Sequence, residues 1–343
     1  PADGATDVPR EVVLSWTAGA HADKHDLYFG ANSDDVSGAT TTADPKSVYK
    51  GRQDTNIYSL PKRLDFNTTY YWRVDEVNAP PDYMIHKGNL WSFTTEPFAY
   101  PIKNVTATAS SSEPTKGPQN TINGSGLDGS GLLHSKVGDD AMWLSGAAGP
   151  QPTWIQFEFD KVYKLYEMWV WNSNETLEAV IGFGFKDVTI EYSVNGTDYT
   201  TLGTTHQFAQ APGTDGYAHN TTIDFSGVTA KFVRLTPNNN WGGILKQYGL
   251  SEVRFFYIPV LAREPKPVSG AKDVSMGTID APADVTLAFR AGREAAKHNV
   301  YFSTDQQAVI DGTAPVASVT KASYGPLSLD LGKTYYWRVD EVN

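Results

Sequence analysis

Apolar residues along this chain alternate with polar ones or come in short bursts, and no stretch keeps a helical 3.6-residue period. Residues 11–16 (EVVLSW), 25–30 (HDLYFG) and 69–78 (TYYWRVDEVN) are β-branched and aromatic, with Gly, Pro and Asn between them. Runs of that kind are strand signals at the spacing of a sandwich. In the last of them Tyr70, Trp72 and Val74 fall on one face, and Tyr71, Arg73 and Asp75 on the other. The middle of the chain continues the pattern with TWIQFEFD, KLYEMWVWN, KDVTIEYS and KFVRLTP. Each alternates or stays apolar over a strand's length, and turn formers such as Asn195-Gly196 and Asp128-Gly129 separate them. The pattern predicts an all-β chain.

The same pattern occurs twice. Residues 70–78 and 335–343 both read YYWRVDEVN. The match extends upstream: LDFNTT pairs with LDLGKT, AHADKHDLYFG parallels GREAAKHNVYFS, and PADGATDV parallels PVSGAKDV. Residues 1–97 and 260–343 are therefore two copies of one unit, with a distinct block at 103–257 between them. Pro-marked junctions, EPFAYPIKN and YIPVLAREPKP, read as short, semi-rigid linkers. The first copy continues past the shared segment through GNLWSFTTEP, which reads as a last strand. The second has no counterpart of it. The expectation is a piece of a longer repeating protein, or a strand donated by a neighbouring subunit.

Particular residues carry two resemblances. Leu64, Tyr70, Trp72, Val74 and Asn78, repeated as Leu329, Tyr335, Trp337, Val339 and Asn343, resemble the sixth-strand pattern of fibronectin type III domains. Trp16 stands at that family's second-strand Trp, where the second copy has Phe289. In the middle block, PTWIQFEFDKVYKL, FKDVTIEYSVNGTDYTTLG, AKFVRLTP and YGLSEVRFF follow one another as in discoidin, or coagulation-factor C-type, domains. That galactose-binding-like superfamily of jelly rolls includes family 32 carbohydrate-binding modules. The combination resembles large surface proteins of planctomycete-type bacteria. The resemblances imply three consecutive β-sandwiches: fibronectin-like at 1–97, discoidin-like at 103–257, and fibronectin-like without its last strand at 260–343.

Composition narrows the function. The chain of 343 residues has a net charge of -11, which argues against nucleic acid, because phosphate binding needs concentrated Lys and Arg. The absence of Cys excludes disulfides, thiol nucleophiles and Cys-type zinc sites. No run of about 18 apolar residues suggests a membrane span. Residues 1–10 are polar, so a secretion signal is expected to have been removed or to lie outside this sequence. Richness in Thr, Asn, Gly, Tyr and Trp points to an extracellular or cell-surface protein.

Enzyme motifs are missing: there is no HExxH, GxSxG or P-loop. Gly182-Phe183-Gly184 reads as a turn or bulge. His25 recurs as His298 while His21 becomes Glu294, which favours a repeated structural His over a metal pair. Asp75-Glu76, recurring as Asp340-Glu341, reads as a solvated strand end.

Two binding sites are expected. Calcium takes six to eight oxygens, from carboxylates and loop carbonyls, and INGSGLDGSGLLHS at 122–135 is a Gly-rich loop of oxygen-bearing residues. The discoidin resemblance implies structural calcium there, with Asn123 and Asp128 as loop ligands and Glu252 as a late one. Many relatives have Asp-Gly where this chain has Asn123-Gly124, so one ligand charge is lost unless Asp128 replaces it. Sugar recognition needs an aromatic ring and planar polar groups. By the same resemblance it sits at the loop end, in 134–143, 172–185, 206–219 and 237–248. The candidates are His134, Asn172, Asn174, Asn240, Trp241, Lys246 and Tyr248, with Trp143 and His219 also in those loops. Trp241, after three Asn and before two Gly, is the residue most expected to be exposed.

The leading expectation is a non-catalytic carbohydrate-binding and adhesion region. The alternatives are a repeating subunit of a filament, sheath or surface layer that self-associates, and an accessory region of a polysaccharide-degrading enzyme.

Overall fold

The computed structural model describes every residue except 137–140, 276, 279–280 and 283–284. The chain is all-β, with only short helical turns between strands. It divides into two compact units, Pro1–Phe98 and Ala99–Asn343. Among the described residues no helix is long and apolar enough to cross a membrane.

In the first unit one sheet runs in the order Ala5–Val8, Trp91–Thr95, Thr69–Asn78, Ala22–Gly30, Tyr49–Gln53. A second, of Val13–Ser15 and Ile57–Ser59, closes the core. As the alternation predicts, Tyr70, Trp72 and Val74 are buried with Leu14, Trp16, Leu27 and Phe29. The Tyr70 hydroxyl accepts a hydrogen bond from the Asp65 amide at 3.2 Å, a link of the tyrosine-corner kind.

The other face of Thr69–Asn78 is covered too. Chain beyond Gly30 turns into the helix Ser33–Gly38, whose Asn32 cap accepts from Asp34 and Asp35 amides. Val36 packs down on the sheet with Tyr28. Arg73 lies beneath the helix, over the Tyr28 ring at 4.1 Å, and donates to the carbonyls of Val36, Ser37 and Ala39. Its remaining donors form a fork with buried Asp75, at 2.7 and 3.0 Å. The carboxylates of this strand are therefore not a solvated end. Asp75 is buried against Arg73, and Glu76 holds His25 at 2.6 Å. A helix of six residues is too short to leave a periodic trace, which is why the covered face reads as open in the sequence.

In the second unit the strand Ile155–Asn172 serves both layers of a sandwich. Its first half pairs with Val105–Ala109 and Thr229–Pro237, its second with Thr221–Asp224 and Gly249–Tyr257. The ladder with Thr229–Pro237 shifts between Glu158 and Tyr163, where the strand changes layer. Between the layers lie Phe157, Phe159, Met168, Phe185, Ile190, Phe208, Val233 and Phe255. Gly182 ends the helical turn Glu178–Ile181 in the left-handed region, at φ 67°.

Within this unit Val285–Val342 repeats five strands of the first unit, those from Val13–Ser15 to Thr69–Asn78. Val285–Arg290 lies between Arg263–Lys266 and Ser323–Leu327, and Lys297–Ser303 between Val316–Val319 and Tyr336–Val342. Phe289 takes the place of Trp16: its ring meets His298 edge-on at 5.0 Å, as Trp16 meets His25 at 5.4 Å. His298 is paired with Glu341, and Arg338 reaches the Ile310 carbonyl in the last turn of the helix Gln306–Asp311 while pairing with Asp340.

Candidate functional site

The 122–135 loop and the late strand meet. Glu252 is buried, and its Oε2 accepts from the Gly124 amide at 3.3 Å. Burial raises its pKa to about 8, against the smaller opposing effects of that amide and of Arg254. The two loop candidates do something else. Asn123 Oδ1 accepts from the Ser125 amide at 2.8 Å. Asp128, exposed, accepts from the Ser130 hydroxyl at 2.7 Å and from the Leu132 and Leu133 amides, both at 3.2 Å, which lowers its pKa. Both side chains thus fold the loop onto itself as Asx turns. Among the described residues no three His, Cys, Asp or Glu side chains gather around one point. Of the three expected calcium ligands, Glu252 is the desolvated carboxylate turned to the Gly-rich loop.

At the end of the sandwich the expected sugar ligands separate into two groups. His134 is buried, with Nδ1 2.6 Å from the Ser135 carbonyl and Nε2 3.1 Å from that of Ala141. Desolvation holds its pKa below the usual value. A Cβ on Gly126 would run into its ring. Asn172 is buried and joins the Phe185 and Ala209 carbonyls, at 2.7 and 2.8 Å. Asn174 joins those of Ser135 and Thr214, at 3.0 and 2.8 Å. Asn240 joins those of Leu245 and Gln247, at 2.7 and 2.8 Å. Tyr248 packs in the core against Phe185. Trp143 is buried, while His219 stacks on Trp169 at 4.3 Å. The amides and His134 are therefore corrected from ligand-facing groups to braces that shape the loops. A buried amide has four hydrogen-bonding positions, and loop main chain is the nearest supply. Residues 137–140 of the 134–143 loop lie outside the described residues.

Trp241 and Lys246 do reach the surface. Trp241 is half-buried, its indole N–H donates to the Phe208 carbonyl at 3.1 Å, and the Lys186 ammonium stands 5.0 Å from its ring centre. Lys246 is exposed, and its carbonyl accepts from Gln151 at 3.2 Å.

Beside them stands a feature the sequence reading missed. Val180 is 81% and Ile244 89% exposed, flanked by exposed Leu177, Ile181 and Leu245. The Gly242 amide donates to the Gly182 carbonyl at 2.8 Å, which holds the 172–185 and 237–248 loop tips together. A Cβ on either glycine would overlap the facing main chain. The signal was present as apolar residues inside turn-forming stretches, LEAVIG and GGIL. Under the first tip Glu178 is fully buried: Oε1 accepts from the Gly184 amide at 2.8 Å, and burial raises its pKa to about 7.

Comparison with known proteins places the middle of the chain. Residues 106–248 match the F5/8 type C domain. No curated protein matches the chain. Among solved structures, the chain is similar to the family 32 carbohydrate-binding module of Clostridium perfringens NanJ in complex with galactose. That likeness has 17% identity and a TM-score of 0.35, over 46% of this chain and 98% of that one. It is also similar to a third such module from a family 31 glycoside hydrolase of Clostridium perfringens. There the identity is 19% and the TM-score 0.35, over 47% of this chain and 95% of that one. A third is the module of AlyQ in complex with 4,5-unsaturated mannuronic acid, at 16% identity and a TM-score of 0.32, over 46% of this chain and 98% of that one.

Proposed function

We propose that the F5/8 type C domain at 106–248 is a non-catalytic carbohydrate-binding domain of an extracellular or surface protein, with flanking fibronectin-like units that space it. The match supports the fold class and the ligand class together. The observation that carries the reading is the composition of the loop end. An indole is held at the surface by its own N–H bond, a cation stands over it, and exposed apolar tips lie alongside. Aromatic rings and apolar edges suit the C–H faces of a sugar, and ammonium groups suit its hydroxyls or carboxylates. Trp241 is the platform in this reading, Lys186 and Lys246 are the polar partners, and Asn172, Asn174 and Asn240 set the loop shape. A glycan array probed with the whole chain and with W241A tests it. Signal on a defined glycan class, lost in the variant, supports the reading; silence of the whole chain across a broad array overturns it.

Calcium belongs to the proposal as a structural ion. Glu252 and loop carbonyls of 122–135 would hold it, and it would keep the loop on the sheet without taking part in chemistry.

A further inference from the structure

One buried acid at the loop end makes no contact with sugar in the reading above, yet the main chain that presents Trp241 hangs from it. Glu178 opens the helical turn Glu178–Ile181 under the 172–185 tip and is fully buried. Its Oε1 accepts from the Gly184 amide at 2.8 Å, and the Gly184 carbonyl accepts from the Trp241 amide at 3.2 Å. Two hydrogen bonds therefore join the carboxyl to the residue that carries the ring. A Cβ on Gly184 would stand 2.9 Å from Oε1, so only glycine lets the carboxyl lie this close to the strand. The end of the same turn is tied to the Trp241 loop as well, through the Gly182 carbonyl and the Gly242 amide at 2.8 Å.

Nothing around Glu178 compensates a negative charge. Among the described residues no Lys, Arg or His side chain forms an ion pair with it. Its Oε2 has no hydrogen-bond partner among those residues, and neither has the hydroxyl of Ser173 beside it. The ionisable groups that face it are Glu175, from its own loop, and Tyr217, from the strand Tyr217–Ala218. Glu175 is itself acidic and is paired with Lys116. The Tyr217 hydroxyl accepts from the Asn172 amide at 3.2 Å and donates to Asn220 at 2.6 Å. From the remaining side the Gln210 side-chain amide donates to the Glu178 carbonyl at 3.0 Å. A carboxylate closed in without a cation is strongly disfavoured. Burial accordingly raises its pKa from the ordinary 4.5 of a glutamate to about 7, against smaller opposing effects of the Gly184 and Phe183 amides and the Ser173 hydroxyl.

We propose that the proton on Glu178 is a switch for the sugar-binding face: with the proton in place the carboxyl stays under the 172–185 tip and holds Gly184 and, through it, Trp241; without it the carboxylate turns out to water and lets that main chain go. This rests on the reading of Trp241 as the sugar platform. The sign follows from linkage. The closed tip binds the extra proton, so closure is fully favoured below pH 4.5 and weakens as pH rises through about 7. The face holds sugar in mildly acid surroundings and releases it in alkaline ones.

The test follows amide exchange of residues 183–186 and 239–243 in the whole chain at pH 5.5, 7 and 8.5, without sugar, each rate taken relative to an unstructured peptide at the same pH. Protection of these two segments is expected to fall on the order of tenfold between the ends of that range, with Thr69–Asn78 unchanged. In Glu178→Gln, a neutral side chain of the same shape, protection should stay level. A glycan array read at the same pH values should lose signal towards pH 8.5 in the whole chain and not in E178Q. Level protection in the whole chain, or an equal fall in E178Q, overturns the proposal; the second result would assign the titration to another group. Where the variant does not fold, the whole-chain profile decides, because a fall confined to these two segments is what the proposal requires. Exchange that responds in this way on a chain no glycan binds supports the switch and overturns the carbohydrate reading instead.

Discussion

Trp241 joins two roles in one side chain: its N–H fixes the loop, and its ring faces out. Replacing it by Ala removes a stacking surface, and an aromatic contact of this type is worth about 1 kcal/mol beyond its buried area. Glycan affinity is expected to fall roughly tenfold or more, with a lower midpoint of urea unfolding because the bond to the Phe208 carbonyl, worth about 1 kcal/mol, is lost as well, as read by array titration and denaturation. Glu252 carries a pH signature. Burial holds its pKa in the fold at about 8, above the ordinary 4.5 of a glutamate. The native state therefore binds the extra proton, and the stability this contributes is complete below pH 4.5 and is lost as pH rises through 8. Glu178, at about 7, adds a loss of the same sign. Unfolding measured between pH 5 and 8.5 should show declining stability, and E252Q should flatten the decline. Calcium should restore stability at pH 8.5 in the whole chain and not in E252Q, because an ion stabilises the ionised carboxylate. The sequence nominated both Trp241, as a surface ring, and Glu252, as a carboxylate of the late strand. The bracing role of the amides was not legible, because Asn in a loop reads alike whether it faces water or ties two loops together.

Among the elements, Thr69–Asn78 holds a buried ion pair on its covered face, between Arg73 and Asp75. Removing one partner of a buried ion pair costs about 3–5 kcal/mol, since the other charge stays buried. Arg73→Ala leaves Asp75 in that state and also takes the Arg73 donors from the Val36 and Ala39 carbonyls at the end of the helix Ser33–Gly38. Arg338→Ala in the other repeat should cost markedly less, because its pair with Asp340 is 36% and 45% exposed at the side chains. Urea unfolding of the two variants checks the order. At the loop tips, Gly242→Ala sets a Cβ against the Ile181 carbonyl. The tips must separate, at a cost of about 1–3 kcal/mol, and binding at Trp241 should weaken with them, which calorimetry on the same glycan would show. The strands themselves were readable from alternation. The short helices were not, because six residues turn fewer than two times and set no period.

On the scale of the whole molecule, the first unit holds its own core and its own ion pairs. Residues 1–98 alone are therefore expected to fold, with a single cooperative urea transition and the tryptophan emission of a buried indole. An unfolded fragment would show that the unit depends on the rest of the chain. The sequence by itself determined the all-β class, the two repeats, the block between them, and the inward face of Tyr70, Trp72 and Val74. Each rests on local periodicity or on identity between two stretches of one chain, and both are visible without coordinates. Tertiary structure alone decided which polar groups are spent. It closed His134 and three asparagines inside loops, drew Glu252 beneath the Gly-rich turn, and paired Asp75 under a helix the pattern could not show. It also joined the Gly182 and Gly242 tips, though they lie far apart along the chain. Burial and hydrogen-bond partnership depend on neighbours distant in sequence, so residue type can nominate a site residue, but only the packed chain assigns its work.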